Sequence, residues 1–304
     1  QIRHELTEVL RAIPTSARHA ARETLNDVGT EFGLPAESER ADAWAVCAAN
    51  LKRAEQALRS LEEFAKIADV ECGGRFEALR YRLYTWERAF DLTRIGAERL
   101  RDLQLYVLVD GCDSDQHFER LVRSLIDAGV DALQLRDKRL SDRQLLVRAR
   151  QLRSWTRPTR TLMIVNDRPD LARLSDADGV HVGKEDLEVR DIRRVTGPRM
   201  LIGVSTHSIE QVKEAVLEGA NMIGVGPTFA STTKSFQSFP GLDLLRQVAK
   251  TTRLPAFAIG GIDVKNIDQV KKVGIRRVAV GAAVTASCDP PAAVKALREK
   301  LARP

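Results

Sequence analysis

Eight short apolar runs recur along the last two thirds of the chain and constrain its fold more than any other sequence feature. Amphipathic stretches with helical period separate the runs. The runs are Leu105–Val109, Ala132–Leu135, Thr161–Val165, Gly179–Val182, Leu201–Val204, Met222–Val225, Ala256–Ile259 and Arg277–Val280. The separating stretches include Phe118–Ala128, Gln144–Ser154, Ile209–Leu217, Leu242–Ala249 and Val264–Val273. About eight strands alternating with helices over roughly 200 residues predict a (β/α)8 TIM barrel.

An open, doubly wound α/β sheet is the alternative fold, because alternation alone does not close a barrel. The dinucleotide-binding form of that sheet carries a G-x-G-x-x-G motif after its first strand. No such motif follows Leu105–Val109. We therefore predict a barrel domain over residues 103–304, with functional side chains where its strands end.

Residues 1–102 differ from the rest of the chain and predict an all-helical N-terminal domain. Apolar residues recur at three- and four-residue steps from Leu51 to Ala68, as on one long helix. Cys72-Gly73-Gly74 is the predicted end of that helix. Because the chain begins at Gln1 within a helical pattern and without methionine, we expect it to be truncated at its start.

Charge and cysteine content exclude several classes of function. The net charge is +6, but the basic residues are spread along helices without interleaved aromatic residues, so we expect no nucleic-acid partner. The four cysteines lack C-x-x-C spacing, which argues against a zinc site and a secreted disulfide framework. No apolar run approaches the roughly 18 residues of a membrane span, and no signal peptide is visible. We expect a cytoplasmic protein with no membrane partner.

Three polar side chains at alternating positions follow the second apolar run. Gln134, Arg136 and Lys138 would point the same way from an extended strand. Arginine offers a planar fork and lysine a compact charge, so the cationic pair, Arg136 and Lys138, can bind a diphosphate. A solvated strand edge is the alternative.

Two carboxylates follow the next two runs. Asp167 comes after Asn166, and Asp186 comes shortly after the fourth run. Carboxylates near a bound diphosphate are the usual ligands of Mg²⁺, a hard cation that shares phosphate oxygens. We call Asp167 and Asp186 the carboxylate pair. An Asx-turn or a helix cap explains each of them equally well in isolation.

The remaining strand ends carry hydroxyl groups and glycines. Ser205 stands where a helix begins, as an anion contact or an ordinary N-cap. A long loop with hydroxyls and a lysine after the sixth run is a candidate lid. Its polar residues are Ser231, Thr232, Thr233 and Lys234. Gly260-Gly261 and Gly281-Ala282 lie where barrels often bind phosphate on backbone N–H groups, although any tight turn uses such glycines.

Together these motifs resemble the thiamine-phosphate synthase family. The matching segments are Gln134-x-Arg136-x-Lys138, Asn166-Asp167, Ala177–Gly183, Gly203-Val204-Ser205, Gly226-Pro227, the Ser231/Thr233/Lys234 loop and Gly260-Gly261-Ile262. The resemblance covers residues 103–302 in order. It implies a transferase that joins hydroxymethylpyrimidine diphosphate to a thiazole phosphate, plain or carboxylated, and releases diphosphate with the help of Mg²⁺.

The resemblance also implies roles for individual residues. Those implied in catalysis are Arg136, Lys138, Lys234 and Ser205. Those implied in substrate binding are Gln134, Arg136, Asp137, Lys138, Asn166, Ser205, Ser231, Thr232, Thr233, Lys234, Gly260, Gly261, Gly281 and Ala282. The carboxylate pair would bind Mg²⁺. The chain departs from the family at Lys184, where glutamine is frequent, and at Ala282, where serine is common.

Two other functions remain open on the same barrel. A non-catalytic sensor of thiamine precursors could lose the metal or diphosphate site, and a thiazole tautomerase relative would need a catalytic histidine such as His181 or His207. All the motifs lie in residues 103–304, so we expect this part alone to be active.

Residues 49–66 resemble a helical domain fused to thiamine biosynthesis proteins and proposed to handle the pyrimidine precursor or a repair step. Its polar residues for a site would be Asn50, Arg53, Arg59 and Glu62. A helical bundle that makes a homo-oligomer is the alternative.

Overall fold

The structure is a computed structural model that describes residues 2–11, 16, 40–230 and 240–302. The chain divides into two compact units, residues 1–90 and 91–304. None of the helices in the described ranges combines the length and the apolar character needed to cross a membrane.

The first unit is helical. It contains α1 (Ile2–Leu10), α2 (Ala43–Ala68) and most of α3 (Val70–Arg99), whose last nine residues belong to the second unit. Val9, Leu58, Phe76 and Leu79 form the buried core of the unit. The helix prediction for residues 12–15 and 17–39 lies outside the described residues.

The break between α2 and α3 lies at Asp69, so the predicted break at Cys72-Gly73-Gly74 is wrong. Asp69 is extended, with φ −156°, and its Oδ1 accepts a hydrogen bond from the N–H of Glu71 (2.9 Å). Gly73 lies within α3, where an added Cβ would come 2.6 Å from Cγ of Lys66. This glycine permits the close approach of two helices rather than ending one.

Charged side chains join α2 to α3. Glu62 is fully buried and accepts hydrogen bonds from Arg80 Nε (2.7 Å), Lys66 Nζ (2.8 Å) and Arg59 Nη1 (3.2 Å). Hydrogen bonds from Arg80 and Lys66 lower the pKa of Glu62 to about 2. The structure thus explains Glu62 as the partner of Arg80 across the two helices and Arg59 as a partner of Glu62 within α2, while Asn50 and Arg53 are exposed.

The second unit is a closed barrel of eight parallel strands, as predicted. The strands are β1 (Leu105–Val109), β2 (Ala132–Leu135), β3 (Leu162–Asn166), β4 (Gly179–Val182), β5 (Leu201–Thr206), β6 (Met222–Val225), β7 (Ala256–Ile259) and β8 (Val278–Val280). Each pairs with the next along the chain, and β8 pairs with β1. This closing pair excludes the open sheet.

Helices cover the outside of the barrel. They are α4 (Asp115–Asp127), α5 (Asp142–Thr156), α6 (Pro169–Leu174), α7 (Val189–Thr196), α8 (Ile209–Glu218), α9 (Gly241–Thr251), α10 (Ile267–Lys272), α11 (Ala282–Thr285) and α12 (Pro290–Ala302). Alternate residues of each strand face the helices or the barrel interior, so both faces are apolar and buried. This explains why the strands appear in the sequence as continuous apolar runs.

The end of α3 and the segment after it cover the end of the barrel at which the strands begin. Leu100 is 1% exposed and packs in the interior cluster with Tyr106 and Phe257. Arg277 Nη2 donates hydrogen bonds to the carbonyl oxygens of Leu100 (3.3 Å) and Arg101 (3.2 Å). Residues 91–102 therefore pack as part of the barrel unit.

Because of this packing, we expect the active truncation to begin at residue 91 and not at residue 103. A protein comprising residues 91–304 should fold and keep its activity, whereas one starting at residue 103 lacks Leu100 and leaves a cavity. Loss of one buried leucine typically lowers the free energy of unfolding by about 2–5 kcal/mol. Urea unfolding of the two truncations measures the difference, and equal stability would contradict this role of Leu100.

Candidate active site

The polar residues predicted after β2 lie in two different environments. Gln134 is the last inward-facing residue of β2 and is 3% exposed, and its Nε2 donates a hydrogen bond to the Tyr106 hydroxyl (2.6 Å). The strand ends at Leu135. Arg136 and Lys138 therefore lie on the following loop. The prediction that strand alternation points all three side chains the same way is wrong for these two.

Neither cation of the pair forms a salt bridge with a carboxylate in the described part of the chain. Arg136 is half-buried and Lys138 is exposed. The ion pairs of this loop are formed by Arg139, with Asp110, Asp113 and Asp137. Two cations near a strand end, without salt bridges among the described residues, leave their charges available to an anionic ligand.

The carboxylate pair is brought together by the pairing of β3 with β4. The backbone N–H of Asp167 donates to the carbonyl of His181 (2.8 Å), and Asp186 Oδ2 accepts from the N–H of Gly183 (2.7 Å). Burial raises the pKa of Asp167, and so do a side-chain hydrogen bond with Asp186 and the negative charge of Asp186. The charge of Lys138 and a hydrogen bond with Asn166 oppose this rise. The charge of Lys138 therefore acts on Asp167 at this end of the barrel.

Neither carboxylate caps a helix. The residue at the N-cap of α6 is Arg168 and that of α7 is Glu188, and no side-chain capping hydrogen bond is present at either. Asp167 has φ +58°, in the left-handed region that non-glycine residues adopt at a cost and often at functional sites. The capping alternative is thus absent from the structure for both residues.

The donor set at the carboxylate pair fits a magnesium ion better than zinc. No group of three or more histidine, cysteine, aspartate or glutamate side chains in the described ranges could hold a metal. Magnesium needs only one or two carboxylates, because waters and substrate phosphates supply its other ligands. Two adjoining carboxylates, one with a raised pKa, are also an arrangement that a cation would relieve.

Two hydrogen bonds inside the barrel support predicted site residues and were missed by sequence reasoning. One joins Tyr106 to Gln134. The other joins His181 Nε2 to Ser205 Oγ (3.1 Å). Ser205 lies within β5 and the N-cap of α8 is Ser208, so the prediction that Ser205 stands where a helix begins is wrong. Burial raises the pKa of Tyr106 well above its usual range and lowers that of His181 to about 4. Both side chains are therefore neutral hydrogen-bonding groups at neutral pH.

Glycines on the inner faces of β5 and β6 make room for His181. An added Cβ at Gly203 would come 2.4 Å from His181 Nδ1, and one at Gly224 would come 3.2 Å from its Cε1. Nδ1 is buried and has no hydrogen-bond partner among the described residues. A histidine within an apolar run, followed by glycines on the next strands, was the available signal in the sequence.

The glycines predicted to bind phosphate lie at the ends of the neighbouring strands β7 and β8. Gly260 (φ +98°) and Gly261 (φ +62°) are left-handed. The Gly260 carbonyl accepts from the N–H of Phe229 (3.0 Å), and Gly281 precedes α11, which begins at Ala282. The polar residues of the preceding loop lie outside the described residues: Ser231, Thr232, Thr233 and Lys234.

Comparison with known proteins identifies the family. A sequence model of thiamine monophosphate synthase matches residues 105–284, and a model of the ThiD2 family matches residues 1–89. A thiamine-phosphate synthase of Rhodopirellula baltica is 43% identical over 291 residues, which are 93% of this chain and 78% of the relative. The chain belongs to the thiamine monophosphate synthase family.

Further relatives of the thiamine monophosphate synthase family agree with this result. A thiamine-phosphate synthase of Thermosynechococcus vestitus is 39% identical over 302 residues, which are 98% of this chain and 85% of the relative. Among solved structures, thiamine phosphate pyrophosphorylase from Pyrococcus furiosus aligns with a TM-score of 0.59 and 32% identity. It covers 67% of this chain and 97% of its own. Both family resemblances seen in the sequence are confirmed.

The two departures from the synthase pattern lie at the surface. Lys184 and Ala282 are both exposed. Ala282 is the first residue of α11, so its backbone N–H lacks an intrahelical acceptor. That N–H group is the donor that remains where the family commonly has a serine hydroxyl.

Proposed function

We propose that this chain is a thiamine-phosphate synthase, which joins hydroxymethylpyrimidine diphosphate to a thiazole phosphate to give thiamine phosphate and diphosphate, with loss of CO₂ as well where the thiazole phosphate is carboxylated. Family membership over more than nine tenths of the chain supports this activity. The observation that carries the proposal is the cationic pair, without salt bridges among the described residues, at the same strand ends of the barrel as the carboxylate pair. This grouping suits a diphosphate leaving group.

Asp167 and Asp186 would hold Mg²⁺, which when bound would neutralise charge on the diphosphate oxygens. Arg136 and Lys138 would bind the same diphosphate directly, through a planar fork and a point charge. Preorganised charges that face a developing negative charge are worth several kcal/mol, about 3–4 for one key donor. These residues therefore favour departure of the diphosphate over retention of the substrate.

The proposed reaction is a substitution with dissociative character. The C–O bond to the diphosphate breaks, and its electron pair leaves with the oxygen that Arg136 and Lys138 hold. The electron-rich aminopyrimidine stabilises the resulting cation, and the lone pair of the thiazole nitrogen forms the new C–N bond. Gln134, Asn166 and Ser205 would orient the pyrimidine diphosphate, and Tyr106 and His181 would in turn orient Gln134 and Ser205.

The thiazole phosphate would bind on the opposite side of the barrel mouth, near β7 and β8. Left-handed glycines direct successive N–H groups into one concavity, which suits a phosphate. The residues proposed for this end are Ser231, Thr232, Thr233, Gly260, Gly261, Gly281 and Ala282. The site would have to exclude water during the reaction, because water would compete with the thiazole for the carbocation on the pyrimidine.

Replacing Lys234 with alanine should lower kcat more than it raises the KM for thiazole phosphate. We expect this because the lysine charge would act on the diphosphate, although Lys234 itself lies outside the described residues. Steady-state kinetics with each substrate varied in turn gives both constants. A large rise confined to the KM for thiazole phosphate would contradict the assignment.

Product formation tests the proposed activity. Purified protein is incubated with both substrates, with and without added Mg²⁺, and thiamine phosphate and released diphosphate are quantified. We expect equal amounts of the two products and dependence on Mg²⁺. Precursor binding without product would instead support a sensor, and isomerisation of the thiazole alone would support a tautomerase.

Cytoplasmic location and homo-oligomerisation stay predictions.

A further inference from the structure

Gly111, in the loop that follows β1, contacts both the loop that follows β2 and helix α5 through its backbone. Its N–H donates to Asp137 Oδ2 (3.0 Å), and its carbonyl accepts from Arg148 Nε (2.8 Å). Arg148 is buried, and its guanidinium also pairs with Asp115. An added Cβ at Gly111 would come 2.4 Å from Leu140 Cδ1, so the loops enclose the glycine closely.

The Asp137 side chain is fully buried, unlike the two cations beside it. Its Oδ1 accepts from the N–H groups of Arg139 (2.7 Å) and Leu140 (3.3 Å), and its Oδ2 accepts from Gly111 and from Arg139 Nη2 (3.1 Å). Burial alone would raise the pKa of Asp137. Hydrogen bonds from Arg139, Gly111 and Leu140 outweigh burial and hold that pKa at about 2.

These hydrogen bonds leave Asp137 unsuited to bind an anionic substrate. Both of its oxygens already accept hydrogen bonds, and its negative charge would repel a diphosphate. Its position in the chain is nevertheless between Arg136 and Lys138. The backbone N–H of Arg136 also donates to the carbonyl of Val109 (2.8 Å), so two consecutive residues, Arg136 and Asp137, attach this loop to the end of β1 and to the loop after it.

We propose that Asp137 is a positioning residue: its carboxylate fixes the β2 loop to the β1 loop and so holds Arg136 and Lys138 where they bind diphosphate. This inference rests on the proposed function and replaces the expectation that Asp137 contacts substrate. A charge set held in advance binds and stabilises a leaving group better than one that must first be ordered. Arg139 is the cation that pairs with Asp137, so this carboxylate does not form a salt bridge with Arg136 or Lys138.

Asp137→Asn tests the proposal. Asparagine replaces one of the two acceptor oxygens by an NH₂ group, which would face N–H donors and could not accept their hydrogen bonds. Residues that support a binding group typically contribute 10- to 100-fold, so we expect inorganic diphosphate with Mg²⁺ to bind about 10- to 100-fold more weakly by titration calorimetry. The KM for thiazole phosphate should change less than twofold, since that substrate would bind near β7 and β8.

Asp131→Asn is the matched control. Asp131 Oδ2 accepts from the N–H groups of Gln104 and Leu105 (both 2.9 Å), but it precedes β2 at the opposite end of the barrel. We expect it to lower the thermal midpoint at least as much as Asp137→Asn does, with diphosphate affinity unchanged. Equal loss of diphosphate affinity in the two variants would overturn the proposal, as would wild-type affinity in Asp137→Asn.

If Asp137→Asn does not fold, the diphosphate affinity of Asp137→Glu tests the positioning role instead. Glutamate keeps the charge but moves the carboxylate by one methylene, which misplaces the loop, so diphosphate binding should still weaken about tenfold. Wild-type affinity in this variant overturns the inference. Failure of the wild-type protein itself to bind diphosphate with Mg²⁺ would instead overturn the proposed function.

Discussion

Asp167→Asn should lower turnover on the order of 10²- to 10³-fold while the protein stays folded. Asparagine keeps the size of the side chain and tolerates the left-handed backbone at φ +58°. It removes one of the two negative charges that would hold Mg²⁺ against the diphosphate. Turnover measured against Mg²⁺ concentration should show both a lower maximum and a higher half-saturating concentration.

Metal and diphosphate should also bind with positive coupling in the wild-type protein. Without a cation, the carboxylate pair and a diphosphate would repel one another, whereas bound Mg²⁺ would make the arrangement attractive. Titration of diphosphate at several Mg²⁺ concentrations measures this coupling. It should be much weaker in Asp167→Asn.

The structure offers a matched control for this substitution. Asp176 is also a left-handed aspartate, with φ +55°, but it is exposed in the turn that precedes β4, at the other end of the strand. Asp176→Asn makes the same chemical change in the same backbone conformation, and we expect wild-type turnover and metal dependence. If Asp167→Asn matches this control in both respects, the metal assignment is wrong.

Arg136→Met should lower kcat/KM for the pyrimidine diphosphate on the order of 10²- to 10³-fold. Methionine retains much of the aliphatic length but removes a charge that no carboxylate in the described residues neutralises. Arg136→Lys should restore only part of the loss, because an ammonium group cannot reproduce the planar, two-pronged contact. The KM for thiazole phosphate should remain close to the wild-type value in both variants.

Arg150→Met is the control for the Arg136 substitutions. Arg150 is exposed on α5, the helix that follows the loop of the cationic pair, so its loss changes the net charge equally without touching the site. We expect wild-type kinetics at constant ionic strength. A loss in Arg150→Met comparable to that in Arg136→Met would assign the effect to overall charge and not to a specific contact.

The barrel and the position of its active end could be predicted because both follow from local pattern. A strand buried on both faces is a short apolar run, and parallel strands joined by helices place all their carboxyl ends at one end. Asp167 and Asp186 follow adjacent strands, so their proximity followed from the order of the strands alone. The confirmed family resemblance rests on the same strand ends.

Other parts of the site depend on partners that the sequence does not bring near one another. Gln134 meets Tyr106 across 28 positions, His181 meets Ser205 across 24, and Asp137 meets Gly111 across 26. Each contact requires a particular register between neighbouring strands and a particular loop path. A residue type and its spacing therefore indicated chemistry but not whether a side chain binds substrate or supports one that does.

Sequence by itself determined the two kinds of domain, the eightfold alternation and the strand ends that carry charge, because these depend on periodicity within a few residues. Only the tertiary structure decided that β8 closes on β1, that Leu100 belongs to the barrel interior and that Asp137 faces backbone N–H groups. It also decided that Gly73 lies inside a helix. These outcomes depend on which distant surfaces share a limited volume, and that competition for space and hydrogen bonds is settled only when the whole chain packs.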